Sequence, residues 1–246
     1  MRNYVLADLK RIIKRLPRII VMAIIYAALL AVIYAAYKNL WTSITFVLYV
    51  EQYIAVLTTG LGLVELITVY ADDFKAKTMQ VAIGIGIPRR VVVLCKVIEA
   101  AVLTLIDLLL FALVAFAAGA VLHAGLETDQ ITEILISLLK VWLSVVSYVN
   151  LAMILMFFTQ STGPGTLLYL ALSMGILNML VSLLAGIEEI EFLHLDNYML
   201  TTFIKTFTTR LMIGNFSAGA LIGILVYIAI GYFLTVFLFR KRELEF

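Results

Sequence analysis

The sequence has few charged residues, and this scarcity excludes a water-soluble fold. Of 246 residues, 14% are charged and 64% are hydrophobic, whereas soluble proteins average about 25% charged and about 45–50% apolar residues. At a mean hydropathy of +1.10, too few polar side chains remain to cover the outside of a globule. The composition therefore predicts a protein whose solvent is lipid.

Cysteine and histidine are also scarce, which excludes most thiol and metal chemistry. The single cysteine, Cys95, cannot form an intrachain disulfide or a CxxC site, and we expect it to be buried as a small hydrophobic residue. The pair Glu188–Glu189 resembles the paired glutamates of membrane proteases, but those enzymes also need histidines on other spans. This chain has only His123 and His194, both in predicted outer connections, and no HExxH motif. An enzyme is therefore not expected.

A nucleotide-binding motif and a strong net charge are also missing. The chain contains no GxxxxGK[ST] phosphate-binding loop, so any ATP would be hydrolysed by another polypeptide. The net charge of +2 is too balanced to favour nucleic acid as a partner.

Six apolar stretches are long enough to cross a hydrocarbon layer of about 30 Å, which takes ~20 helical residues. The first stretch is longer than the core of a signal peptide, so it is predicted to be retained. The six stretches cover residues 19–37, 45–70, 97–122, 131–159, 166–184 and 216–239. The sequence thus predicts an all-α polytopic membrane protein, with one transmembrane domain over residues 1–246.

Lysine and arginine are distributed unevenly around these spans. Fourteen of them precede the first span, lie between the second and third spans, or follow the sixth. The connections on the other side hold three, which are Lys38, Lys205 and Arg210. Because positively charged connections stay in the cytoplasm, both termini are predicted to be cytoplasmic.

Residues 1–18 are predicted to form an interfacial amphipathic helix, with apolar residues at helical spacing and basic residues on the other face. The apolar face comprises Val5, Leu6, Leu9, Ile12, Ile13 and Leu16. Pro17 is predicted to break the chain before the first span. Two roles stay open for this helix: contact with anionic lipids, or contact with a cytoplasmic partner.

The connection between the second and third spans, residues 71–90, is the longest one on the basic side. Asp72 and Asp73 are suited to start a helix, and Gly84, Gly86 and Pro88 are suited to end it. We therefore predict a short helix over residues 72–87 that lies across the mouth of the bundle. A simple linker needs only a few polar residues, so an ordered helix here indicates a docking surface.

The order of residues in this connection resembles that of the membrane-spanning permeases of type-2 ABC exporters. Those permeases have an acidic start, a threonine, a hydrophobic helix, a glycine and proline turn, an arginine, and a lysine leading into the third span. The matching residues here are Asp73, Thr78, Gly86, Pro88, Arg89, Arg90 and Lys96. Lys77 stands where the family usually has glycine. Six spans, a basic N-terminal helix and a charged tail extend the resemblance over the whole chain.

The resemblance implies a permease that pairs with a second copy or a paralogue and binds two copies of a cytoplasmic ABC ATPase. It implies no cofactor on this chain, with ATP and Mg²⁺ on the partner. The implied setting is a bacterial cell membrane, and the implied cargo is a hydrophobic or amphipathic peptide of the toxin or antimicrobial type. The residues implied to couple the permease to the ATPase are Asp72, Asp73, Phe74, Lys75, Lys77, Thr78, Gln80, Arg89 and Arg90.

Six ionisable residues lie within or near the ends of the predicted spans: Glu51, Glu65, Glu99, Asp107, Glu133 and Lys140. A charge at the bilayer centre costs about 2.5–3.5 kcal/mol, so these side chains are predicted to face protein or water. The spacing of Lys96 and Glu99 predicts a local ion pair. Similar depth in the membrane predicts a second pair, between Glu51 and Lys140.

Two interpretations of these charges stay open. Together with Thr58 they line a substrate path, or they hold the helices in register, as polar contacts between membrane helices commonly do. The carboxylates also allow an alternative function, an ion-coupled secondary transporter or channel. The sequence shows no evident inverted repeat and no evident broken helix, which favours the exporter over this alternative.

Small residues recur along the sixth span. Gly219 and Gly223, with Gly231 two turns later, predict close helix packing, either within one chain or across a dimer.

Residues 186–215 form a long connection with an acidic start, which predicts re-entrant or interfacial helices on the outer side.

Overall fold

The computed structural model describes residues 2–39, 41–75, 78–185 and 194–241, and these residues form an all-helical fold. A π-helical turn, Ile67–Ala71, joins α3 to α4, and a 3₁₀ turn, Leu195–Tyr198, precedes α10. The helices are α1 (Arg2–Ile13), α2 (Leu16–Asn39), α3 (Ser43–Leu66), α4 (Asp72–Lys75), α5 (Thr78–Gly84), α6 (Arg89–Val121), α7 (Thr128–Thr159), α8 (Thr162–Ser173), α9 (Ile176–Ala185), α10 (Leu200–Met212) and α11 (Ala218–Lys241).

In the described part of the chain, the five helices α2, α3, α6, α7 and α11 are each long and apolar enough to span a membrane. Helices α8 and α9 together pass the same test but meet at an angle of 63°. At the place of the predicted fifth span, the chain therefore forms a bent helix pair, which is either one broken span or a re-entrant loop. The bend occurs at Gly175, whose φ of +75° is a conformation that favours glycine.

Helix α7 is the central helix of the bundle. It contacts α3, α6, α8, α10 and α11, and 72% of its most apolar stretch is buried, against 22% for the peripheral helices α2 and α11. Near the end of α7, the ring of Phe157 makes edge-to-face contacts with Tyr70, Phe74 and Phe239. Each such pair contributes about 0.5–1.5 kcal/mol beyond its buried area, so α7 anchors α4 and α11 at this end.

The connections lie at two opposite ends of the bundle. Helices α1, α4 and α5 meet the start of α6 at one end, where Lys96 pairs with Asp8. At the other end, the indole N–H of Trp41 donates to the carbonyl of Leu122 at 2.8 Å and so joins the turns that follow α2 and α6. We call these the basic end and the opposite end.

The predicted N-terminal helix is present as α1, but its apolar face is only partly used. Val5, Leu9 and Ile12 are buried and Leu6 is exposed, while α1 packs against α6. Pro17 does not separate the two helices, because it lies in the first turn of α2. A proline is tolerated at that place since the first N–H groups of a helix have no intrahelical acceptor.

In the connection between the second and third spans, the described helical residues are those of α4 and α5, and α5 ends at Gly84 rather than at residue 87 as predicted. Asp72 and Asp73 do not start a new helix, because helical structure continues from α3 through the π turn into α4. The stop after α5 is as predicted. Gly86 has φ +98°, and its N–H donates to the carbonyl of Ile83.

Candidate functional site

A polar cavity of about 560 Å³ lies between α3, α7, α8 and α10, in the half of the bundle nearer the opposite end. Two carboxylates and two ammonium groups line it, from Glu51, Glu133, Lys140 and Lys205. Hydroxyl groups and apolar side chains complete the wall, among them Thr58, Ser137, Ser144, Ile54, Val141 and Leu172. Such a surface can contact both the charged and the apolar parts of an amphipathic molecule.

The cavity extends deep into the bundle. Thr58 follows Ser43, the first residue of α3, by fifteen residues, or about 22 Å along the helix axis at ~1.5 Å per residue. The hydrocarbon layer of a bilayer is about 30 Å thick. Thr58 is close to the midpoint of the 29-residue stretch Ser43–Ala71, so the cavity extends about half-way along this candidate span.

Glu51 and Lys140 both line the cavity, but the predicted ion pair between them is absent. Their charged groups are not within 4.0 Å of each other. The carboxylate of Glu51 accepts a hydrogen bond from the hydroxyl of Ser137 at 2.8 Å instead. The prediction was based on the similar depth of the two residues in the membrane. Depth alone places both residues at one cavity, but it does not determine the distance between side chains on different helices.

Five charged residues join α1, α4 and α6 at the basic end, and we call them the Lys96 cluster: Asp8, Arg11, Asp73, Lys96 and Glu99. The ammonium of Lys96 has three N–H donors and pairs with three carboxylates, Glu99 at 2.7 Å, Asp8 at 2.6 Å, and Asp73. Arg11 pairs with Asp8 and with Asp73, each at 2.7 Å. The predicted Lys96–Glu99 pair is confirmed, as part of a network that spans three helices.

Asp73 links this cluster to the connection between the second and third spans. Its carboxylate also accepts a hydrogen bond from the hydroxyl of Thr78 at 2.7 Å. Burial opposes the ionisation of Asp73, but the charges of Lys96 and Arg11 outweigh burial and lower the pKa of Asp73 below its ordinary value. Burial raises the pKa of the neighbouring Tyr4 to about 12, so this phenol is neutral. Ionised Asp73 thereby ties α4 and α5 to α1 and α6.

Three further charged residues form the Arg18 cluster in the interior: Arg18 from α2, Glu65 from α3 and Asp107 from α6. The Nη2 atom of Arg18 pairs with Glu65 at 3.2 Å and also with Asp107. Arg18 is 6% exposed, and the exposure of Glu65 is 0% and that of Asp107 1%. Both carboxyls thus face protein, as expected of ionisable groups within a span.

Tyr169 from α8 lies between the cavity and the Arg18 cluster. Its hydroxyl donates to the carbonyl of Thr58, which lines the cavity, and its ring packs over Gly62. Glu65 follows Gly62 by three residues on the same face of α3. Tyr148, another cavity residue, contacts Tyr169 edge-on with ring centroids 6.4 Å apart. The polar stripe of α3 therefore has three parts. Thr58 lines the cavity, Gly62 is covered by the ring of Tyr169, and Glu65 is buried in the Arg18 cluster.

The residues implied to couple the chain to an ATPase lie at the basic end, and several of them are engaged within the chain. Asp73 and Thr78 bond to each other, and Phe74 packs on Phe157. Arg89 donates to the carbonyl oxygens of Phe239 and Arg240 at the end of α11. Outside the described residues lie Lys77 and the side chains of Asp72 and Lys75, as do residues 186–193 and the charged tail after Lys241.

The exposed face of this connection is apolar. Val81 and Ile85, one turn apart, are 63% and 76% exposed, while Met79 and Ala82 on the other face are buried. Gln80 is partly buried, and Arg90 is exposed. The connection thus presents two apolar side chains, one on α5 and one directly after it, in a segment that Asp73 joins to the Lys96 cluster.

The glycine stripe of α11 packs helices within the chain at two of its three positions. Gly223 lies against the ring of Phe203 from α10, and Gly231 lies against Asn150 from α7. Among the described residues, no atom lies within 4 Å of the place that a Cβ would take at Gly219. Gly219 therefore remains open to an external contact.

Three charged residues of the clusters were not foreseen as site residues: Asp8, Arg11 and Arg18. A signal for Arg18 exists in the sequence, since it begins the helical stripe that continues through Met22, Ile25, Leu29 and Ile33 and forms the inward face of α2. The predicted first span begins at residue 19, directly after Arg18. Arg18 was therefore counted with the residues that precede the span, and its place in this helical pattern was missed. Asp8 lies similarly beside the buried residues of α1.

The sequence matches no known protein-family model and no curated protein. The long apolar helices fit a multi-pass membrane protein.

Proposed function

We propose that this chain is the transmembrane permease subunit of an ATP-driven ABC exporter. In this proposal the basic end faces the cytoplasm, and each permease copy binds an ABC ATPase that carries the ATP and Mg²⁺. The cargo is a hydrophobic or amphipathic peptide, which leaves the cell or the membrane. The observation that carries the proposal is the connection over residues 72–88, with its fixed inner face and its exposed apolar face.

This connection is suited to transmit a movement. A partner seated on Val81 and Ile85 would act on α5, and Asp73 joins this segment to α1 and α6 through Arg11 and Lys96. The contact of Phe74 with Phe157 joins the same segment to α7. A displacement of the connection therefore acts on the central helix and the third span together.

The cavity supports an amphipathic cargo. Its volume of about 560 Å³ lies within the roughly 300–1,000 Å³ of typical ligand sites. Its charged groups are of both signs, and its floor next to Tyr169 is closed toward the basic end. Access from the cytoplasm would then require movement of α8 relative to α3, the two helices that Tyr169 joins.

Helix α11 supports the pairing of two permease copies. Its exposed side carries a continuous stripe at helical spacing, which begins at Gly219 and continues through Ile222, Val226, Ile230, Phe233 and Phe237. Small residues at the start of such a stripe allow close approach of a second helix. We propose this stripe as the contact between the copies, in a homodimer or with a paralogue.

One observation favours the alternative, an ion-coupled secondary transporter. Helices α8 and α9 meet at a sharp bend at Gly175, which lines the cavity, and transporters of that kind form their sites at broken helices. This break was not expected from the sequence, so one of the arguments against the alternative no longer holds. The two functions differ in their source of energy, which can be measured directly.

The docking face can be tested by placing a charge on it. The chain is purified from its native membranes as the wild type, as Ile85→Asp and as Ile213→Asp, a matched control that is 68% exposed at the opposite end. We expect the wild type and the control to retain a bound ATPase with vanadate-sensitive ATP hydrolysis, and Ile85→Asp to lose it at unchanged thermal stability. Equal ATPase content in all three preparations would remove the docking face from the account.

A further inference from the structure

We propose that the Arg18 cluster is a proton-binding site, in which one proton is shared between the carboxyl groups of Glu65 and Asp107 at neutral pH. This inference does not depend on the function proposed above, because the cluster is built from α2, α3 and α6 and requires no partner. It assigns to the cluster a net charge of zero and a hydrogen bond between its two acidic residues.

The charge balance of the cluster requires a proton. Two carboxylates and one guanidinium carry a net charge of −1 when all three are ionised. Arg18, Glu65 and Asp107 are all buried, and among the described residues no second cation lies within ion-pair distance of either carboxyl. An uncompensated charge in a site of low polarity is unfavourable, and such groups neutralise by binding or releasing a proton.

The geometry shows where this proton would lie. The carboxyls of Glu65 and Asp107 lie side by side, because both pair with the same atom, Nη2 of Arg18, and Oε2 of Glu65 is buried without a hydrogen-bond donor. Two ionised carboxylates in contact repel each other, whereas a pair that shares one proton forms a hydrogen bond, as paired acids do in aspartic proteases. The missing donor is therefore supplied by a proton on one of the two carboxyls.

Arg18 does not remove the need for this proton. A single atom, Nη2, pairs with both carboxyls, while Nε of Arg18 is buried without an acceptor. The guanidinium thus neutralises one carboxylate and leaves the other. The same contact disfavours a metal ion in this place, because a fixed cation already occupies the space between the acidic side chains.

Among the residues that the structure describes, no other charged group pairs with the members of the cluster. Tyr26 from α2 donates its hydroxyl to the backbone carbonyl of Asp107 at 3.2 Å, and Tyr169 from α8 lies between Glu65 and the cavity. In the described part of the chain, these two phenols are titratable groups that approach the cluster from the packed helices. Both phenols are partly or fully buried and are neutral at pH 7. The net charge of the cluster is therefore set by Arg18, Glu65 and Asp107.

The proposal can be tested by infrared spectroscopy of the full chain in lipid at neutral pH, where protonated carboxyl groups absorb separately from carboxylates. We expect Glu65→Gln and Asp107→Asn each to lose one protonated carboxyl relative to the wild type, since the remaining acid then pairs with Arg18. The control Glu51→Gln, in the cavity, keeps the full signal. Arg18→Gln is expected to gain one protonated carboxyl, because both acids then lack a cation.

Glu65→Gln also gives a readout that does not depend on spectroscopy. The amide has nearly the shape of the protonated acid, so the variant is expected to fold and to melt at or above the temperature of the wild type. An unchanged carboxyl signal in both Glu65→Gln and Asp107→Asn, or a clear loss of stability in Glu65→Gln, would overturn the proposal. A gain in Arg18→Gln together with a loss in the other two would establish the shared proton.

Discussion

Gly62 of α3 lies directly against the side chain of Tyr169 from α8. Its lack of a side chain lets the ring of Tyr169 lie against the helix, between the cavity at Thr58 and the buried carboxyl of Glu65. The closure of the cavity floor thus depends on the absence of one methyl group. Gly60, two positions earlier, has no such role, because no atom of the described residues lies within 4 Å of the place that a Cβ would take there.

Gly62→Ala is expected to lower the free energy of unfolding by about 1–3 kcal/mol, the usual cost of overfilling a packed interior, because Tyr169 must leave its place. Gly60→Ala is the matched control and is expected to be neutral or stabilising, since alanine favours a helix over glycine by about 1 kcal/mol. Thermal unfolding in detergent measures both. Equal melting temperatures for the two variants would show that Tyr169 does not close the cavity in this way.

Asp73 makes the stability of the protein depend on pH in the acid range. Its pKa is lowered in the folded state, so its ion pairs stabilise the fold above the ordinary value of about 4 and are lost as the pH falls through the lower folded value. Removing one partner of a buried pair costs about 3–5 kcal/mol, so Asp73→Asn is expected to be less stable at pH 7.

The sign of this effect is checked by following unfolding from pH 7 into the acid range. Asp73→Asn is expected to lose less stability on acidification than the wild type, because the group that takes up the proton is gone. Asp129→Asn, at an exposed position of the opposite end, is the control and should follow the wild type. Parallel curves for wild type and Asp73→Asn would contradict the assigned role of this carboxylate.

At the scale of elements, the connection between the second and third spans is held by neighbours that come from distant parts of the sequence. Helix α1 supplies Asp8 and Arg11, and α6 supplies Lys96, to fix a segment of α4 and α5. The N-terminal helix therefore acts on the connection directly, in addition to any contact with lipid.

Arg11→Met is expected to increase amide hydrogen exchange in residues 72–84 by a few-fold, because a partly exposed ion pair contributes up to about 1 kcal/mol. Lys14→Met, at an exposed position just after α1, is the matched control and should leave this segment unchanged. Exchange that is the same in both variants would mean that α1 does not hold the connection.

The five long apolar helices, the N-terminal helix and the glycine stop after α5 were predictable, because each depends on residues close together in sequence. The bend at Gly175 was not, since a glycine in an apolar run reads like Gly60, which lies inside a regular helix. The two ion clusters were not predictable either. Each is built from three helices, and spacing within one helix shows only a pair such as Lys96 with Glu99.

At the scale of the whole molecule, the two ends of the bundle differ in chemistry. The opposite end opens into a cavity of mixed charge, while the basic end is closed by aromatic contacts and the Lys96 cluster. The proposed exporter uses this asymmetry, since energy enters at the connection and cargo leaves through the cavity. An ion-coupled transporter would instead use the buried carboxylates as its input.

The most direct test of the central claim reconstitutes the permease with its bound ATPase in lipid vesicles and follows a fluorescent amphipathic peptide. The account predicts movement that requires ATP, stops with vanadate, persists when a protonophore collapses the proton gradient, and is abolished by Ile85→Asp. Movement that proceeds without nucleotide, stops with the protonophore and is unaffected by Ile85→Asp would contradict it.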